Sequence, residues 1–237
     1  MSAAEHGMDP VLRRLPGAAW RSLPALAVAG VAAVGAWWVA GWMLGVDSPV
    51  VSIAAGLVCG AMAAVAIDAV QREVFDLGRD GVWRWRSAAL AMAFGAVAGG
   101  LAAWSTFAAV VAEAAASPLL QVTAVASAVA VAAVIIVAAV ALPLVTARPD
   151  ATARAVLIAA VVAVVRRPLP SMAAVLCSAA IAWLGLTWFA GLLVFAVPVF
   201  AMLAVAAAWS SAAPLGVALP PLSPLARRSV APDPGAA

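Results

Sequence analysis

Residues 23–44 read LPALAVAGVAAVGAWWVAGWML, with no charge anywhere in the run. At 1.5 Å per residue such a run makes a helix of roughly 33 Å, enough to cross a hydrocarbon core of about 30 Å. Arg13, Arg14 and Arg21 precede it, as in a signal peptide. It is nevertheless longer than the usual apolar core of such a peptide and further apolar runs follow, so an uncleaved membrane helix is expected.

The same reading extends outward along the chain. A turn signal at Gly45 to Pro49, with Asp47, leads into a second apolar run at 50–70, and the polar segment 71–86 separates that from a third at 87–111. Glu113, Ser117 and Pro118 break the pattern before a fourth run at 119–145, whose Pro143 lies near the end, where a helix best tolerates a missing donor. From 171 to 213 there is no charge, which is too much for one span and right for two, 171–186 and 191–213, with the turn at Gly185 to Gly191. Between the fourth and fifth spans, 155–165 is apolar but only about eleven residues long, too short to cross. It is expected to be a short helix lying at the interface or folded against the bundle, with Asp150 as a candidate cap.

Composition agrees with this reading of the runs. Of 237 residues, 67% are hydrophobic and 10% charged, and the mean hydropathy is +1.14, whereas soluble domains are roughly a quarter charged. A globule of this size could not cover its surface with so few polar groups. The expected fold class is therefore all-α: a polytopic six-helix membrane domain over 23–213, flanked by an N-terminal tail, 1–22, and a Pro-rich tail, 214–237.

All thirteen basic residues are arginine, and their placement fixes an expected orientation. With six spans and the N-terminus inside, the cytoplasmic side receives Arg13, Arg14 and Arg21, the loop bearing Arg72, Arg79, Arg84 and Arg86, the segment with Arg148, Arg154, Arg166 and Arg167, and finally Arg227 and Arg228. The outer connections receive only Asp47 and Glu113. The positive-inside rule is then obeyed throughout, with both termini cytoplasmic and the plasma (inner) membrane as the site of insertion. A five-span count, or one that made 155–165 a span, would break that pattern.

The chemistry these residues can support is limited. Without lysine, P-loop ATPase and Schiff-base chemistry are excluded. Cys59 and Cys177 sit in apolar runs with no metal or redox spacing, and the one histidine, His6, lies in the tail. No HExxH, no intramembrane Ser–His pair and no paired aspartates are present, so neither an enzyme, a metal site nor a bound cofactor is expected. The arginines form no stripe, which argues against nucleic acid. No ionisable group falls in mid-membrane, leaving hydroxyls such as those of Thr123 and Ser127 to line any path. Asp68 lies near the end of the second span, four residues before Arg72, the favourable spacing for a helical acid–base pair or a gating acid. Gly41 with Gly45, Gly56 with Gly60 and Gly95 with Gly99 each satisfy GxxxG, which lets helices approach closely, within the chain or in a homo-oligomer.

Two stretches carry a family likeness. Pro49-Val50-Val51-Ser52-Ile53, followed through a helix by Arg79-Asp80-Gly81-Val82-Trp83-Arg84-Trp85-Arg86, is one; Leu142-Pro143-Leu144-Val145-Thr146-Ala147-Arg148-Pro149-Asp150, continuing to Arg166, is the other. In order and chemistry they resemble the YesL-like family of small bacterial multi-pass membrane proteins of unknown function. Ala54 stands where the family has Gly and Pro149 where it has an aromatic residue. Such proteins are commonly encoded beside carbohydrate ABC importers, so the resemblance implies a non-enzymatic accessory role with ABC transporter subunits as partners. The candidate contacts for such partners, or for anionic lipid at roughly 1 kcal/mol per arginine, are Arg72, Arg79, Arg84, Arg86, Arg148, Arg154, Arg166 and Arg167. An autonomous small-solute transporter or channel, and a self-associating scaffold, are the alternatives.

Overall fold

A computed structural model of the chain describes residues 10–44, 48–75, 85–148, 150–217 and 219–222. Seven α-helices follow in order: α1 (Leu15–Leu44), α2 (Pro49–Val74), α3 (Trp85–Ala115), α4 (Pro118–Ala147), α5 (Ala153–Arg166), α6 (Pro168–Thr187) and α7 (Leu193–Ala212), with short 3-10 turns at Ala190–Leu192 and Ala213–Leu215. The described residues contain no named strand; a single isolated bridge joins Phe75 to Leu222. All helices except α5 are long and apolar enough to cross a membrane, six in number among the described residues.

Pro starts α2, α4 and α6, where a missing N–H costs nothing. The outward faces are hydrocarbon: Val122, Val125 and Val129 of α4, Val97 and Val110 of α3, and Leu176 and Trp183 of α6 are all exposed. In water such continuous apolar surface would drive aggregation; in lipid it is the surface the solvent requires. Several hydroxyls in the spans donate to their own helix, as when Ser22 donates to Ala18 O at 2.7 Å and Ser178 to Ala174 O at 2.8 Å, while Ser105 of α3 donates across to Ala124 O of α4 at 2.9 Å. This is an integral membrane protein with its helices in contact with lipid.

Helices α1 to α4 form an antiparallel series. The closest approach is between α2 and α3: a Cβ added to Gly56 would fall on the Gly95 carbonyl, one on Gly95 on the Gly56 carbonyl, and one on Gly99 on the Ser52 carbonyl. Two of the GxxxG pairs thus face each other inside the chain. Gly30 of α1 supports a second close approach, against the Val194 carbonyl of α7. Pro198, four residues on, has no N–H to give that carbonyl, so the oxygen is left facing the Gly30 backbone, where any side chain would displace it.

That contact also sets a level. Val194 is the second residue of α7, while α1 continues from Gly30 to Leu44, about 21 Å further. The α6–α7 hairpin, with 20 residues in each helix, is therefore shorter than its neighbours and seats its tip partway along α1. Both hydrophobic clusters extend toward the opposite end, the first from Ala29, beside that contact. One joins Leu15, Ile67, Val70, Val74, Leu142 and Val205; the other joins Leu144, Val156, Ala160, Ala163, Ala208 and Ala212.

Several expected boundaries move. α1 begins at Leu15 rather than 23, so 15–22 is helix and not tail. The reason is a buried stripe, Val11, Leu15, Ala18, Ser22, Leu26, Ala29 and Ala33, that continues at helical spacing straight past Arg21. α2 likewise runs four residues beyond 70, to Val74. The short helix α5 is capped by Thr152, whose side chain accepts from Ala155 N at 3.2 Å. Asp150 is too far back to reach that donor and is not the cap. The 191–213 span matches α7 closely, and the expected turn narrows to Trp188 and Phe189. The start of the Pro-rich segment packs back onto the bundle, Leu222 against one cluster and Val217 and Leu219 against the other.

Candidate functional site

The described arginines gather at one end of the bundle because of how the helices alternate. α2 and α4 end there, and Gln71 of α2 joins them by donating from Nε2 to Pro143 O at 2.8 Å. α1 and α3 begin there, as their antiparallel pairing with α2 requires. α5 packs Val156, Ala160 and Ala163 against the last turns of α4 and α7, so Arg148, Arg154, Arg166 and Arg167 lie at the same end.

Two acids divide these arginines into paired and unpaired. Arg72 Nη2 lies 2.6 Å from Asp68 Oδ2, one helical turn back, with both side chains partly exposed. The Asp68 carboxylate is thus engaged in the local pair that its spacing suggested. Arg21 reaches across from α1 to Glu73 at 3.3 Å. Each such pair contributes roughly 0–1 kcal/mol. Arg148, Arg154, Arg166 and Arg167 are exposed and make no ion pair among the described residues. Arg86 is also exposed, on the first turn of α3. Arg79 and Arg84, like Arg227 and Arg228, lie outside the described residues, as does Gly45 of the first GxxxG pair.

Two buried polar side chains with an unpartnered atom, Gln71 and Ser211, are not marked by hydropathy. Gln71, which begins the polar segment 71–86, is 1% exposed and continues the buried face of Ile67 and Val74. Its amide nitrogen bridges α2 to α4, and its Oε1 has no partner. Ser211 of α7 is fully buried with an unpartnered hydroxyl. The i, i+4 spacing of Ile67 and Gln71 was the available signal for the first; nothing in the sequence marks the second.

An open pocket of about 440 Å³ lies along the spans, lined by one face of each of α2 (Gly56 to Ala63), α3 (Ala91 to Ala102), α4 (Val131 to Leu142), α6 (Val175 to Ala182) and α7 (Ala196 to Phe200). Of the lining side chains only Cys59 and Ser178 carry a heteroatom, and the Ser178 hydroxyl is bonded to its own helix. Thr123 and Ser127, the hydroxyls expected to line a path, are not on it; they donate to carbonyls of α4 itself, at 2.9 Å for Thr123 to Leu120 O and 2.8 Å for Ser127 to Thr123 O. Among the described residues no cluster of His, Cys, Asp or Glu could hold a metal ion.

Compared with family models, with curated proteins and with solved structures, the chain matches none.

Proposed function

We propose that this membrane protein is a non-enzymatic accessory component of a transport system, engaging its partner through the arginine-bearing end of the bundle, which faces the cytoplasm. The observation that carries the reading is the group Arg148, Arg154, Arg166 and Arg167: four exposed cations that make no ion pair among the described residues, set on and around the 14-residue helix α5. Guanidinium groups so placed suit carboxylates of a protein partner or phosphates of anionic lipid.

Helix α5 supports the same reading. Its inner face is packed on α4 and α7, while Ile158, Val161, Val162 and Val165 are exposed between arginines at its two ends. That is the pattern of a helix lying in the headgroup plane, apolar residues toward the acyl chains and charges toward water. The resemblance to the YesL-like family directs the choice of partner to an ABC importer. A polar-solute path through the protein itself finds little support in the pocket along the spans, whose wall is hydrocarbon.

The test is co-purification from native membranes in mild detergent. An importer permease and ATPase recovered at near-equal amounts, and lost when Arg148, Arg154, Arg166 and Arg167 become alanine with insertion unchanged, is the expected result. An Arg72→Ala control should retain them, because Arg72 is already engaged by Asp68. Recovery of the protein alone, together with solute flux in liposomes, would replace the accessory role with autonomous transport.

A further inference from the structure

Helix α5 is held beside the bundle rather than beneath it. Val156, Ala160 and Ala163 share a cluster with Val140, Ala141, Leu144 and Val145, in the last turns of α4, and with Ala208 and Ala212 of α7. These are positions on the sides of two spans, so the opposite face of α5 points outward from the bundle, in the direction of the bilayer. That face is apolar: Ile158, Val161, Val162 and Val165 recur at the i, i+3, i+4, i+7 spacing of one helical stripe, and all four are exposed, Val165 by 74%. Arg154, one turn before Ile158, and Arg166, one turn after Val162, stand at the two ends of the stripe, roughly 18 Å apart along the helix. Both are exposed and make no ion pair among the described residues.

Such a surface fits an occupant that joins an anionic group to a length of hydrocarbon. A free phosphate would meet the guanidinium groups and leave the stripe bare. A second copy would bring arginine against arginine: of the described acids at this end, Asp68 and Glu73 are already paired, leaving Asp150 to face Arg148, Arg154, Arg166 and Arg167. A soluble acidic protein would approach from the water, whereas the stripe faces sideways.

We propose that the outer face of α5 binds anionic phospholipid, with phosphates on Arg154 and Arg166 and acyl chains along Ile158, Val161, Val162 and Val165. The inference rests on the reading above that makes this arginine-bearing end a binding face, and it names what α5 holds there.

The full chain, purified in mild detergent, is titrated with phosphatidylglycerol or phosphatidylcholine of the same acyl chains, and retained lipid is counted by native mass spectrometry. Phosphatidylglycerol should be preferred by on the order of tenfold. An Arg154→Gln, Arg166→Gln variant should lose most of that preference, and Arg72→Gln should keep it, because Arg72 is already engaged by Asp68. Equal retention of the two lipids by the parent, or a preference that the double variant keeps, would overturn the proposal. So would displacement of phosphatidylglycerol by inorganic phosphate at equal concentration, which would leave the stripe without a role. In vesicles of the two lipids, a spin label on Val161→Cys, in a Cys59→Ser, Cys177→Ser background, should be relaxed by oxygen more than by an aqueous nickel chelate. The reverse would place the stripe in water and shielding from both would place it under a second copy, each against the proposal. Importer recovery without a lipid preference would remove this inference alone, whereas a lipid preference without an importer would support it and remove the accessory role.

Discussion

At the scale of single residues, the account rests on where a methyl group can and cannot be added. Gly30 and Gly35 sit on the same helix, yet a Cβ on the first would strike the Val194 carbonyl and on the second would meet nothing within 4 Å. Gly99 and Gly100 make the same contrast on α3, the first against Ser52 and the second in open space. G30A and G99A are therefore expected to lower stability by about 1–3 kcal/mol, as overpacking does, while G35A and G100A leave it unchanged. Thermal unfolding in detergent reads both pairs. Gln71 gives a second residue-scale prediction. Its leucine variant removes one helix–helix hydrogen bond and one unpartnered oxygen together, and should stay within about 1 kcal/mol of the parent. Its glutamate variant places a carboxyl in the same buried space and should destabilise clearly more.

At the scale of elements, the short helix α5 depends on its cap. Thr152→Ala should cost about 1 kcal/mol locally, seen as faster amide hydrogen exchange over 153–156 with the rest of the bundle unaffected. The existence of the helices was legible in the sequence because lipid imposes a simple rule: a span must be long, apolar and uncharged. Their ends were less so. Arg21 stops a hydropathy count but not a helix, since its guanidinium leaves the apolar face for Glu73 while Ala18 and Ser22 stay buried. Gln71 stops a count for the same reason, yet sits on the buried face of α2. The α2–α3 glycine contact was half legible: GxxxG announced a close approach without saying which helix would make it. The pocket and the short α6–α7 hairpin were not legible, because both depend on the relative level of helices far apart in sequence, which hydropathy does not encode.

At the scale of the whole molecule, an antiparallel series of long helices brings both ends of most loops to one pole or the other, and the described arginines collect at one of them. Arginine placement and helix alternation are independent features, one of composition and one of packing, and they meet at the same end. The orientation of that end toward the cytoplasm is the claim on which the proposed role depends. It is tested most directly by cysteine accessibility in intact cells, in a Cys59→Ser, Cys177→Ser background, with a membrane-impermeant maleimide. Ser48→Cys, between α1 and α2, should label from outside, and Ser229→Cys, beyond α7, only after the cells are opened. Labelling of position 229 from outside, or protection of position 48 until lysis, would contradict the six-span, arginine-inside arrangement.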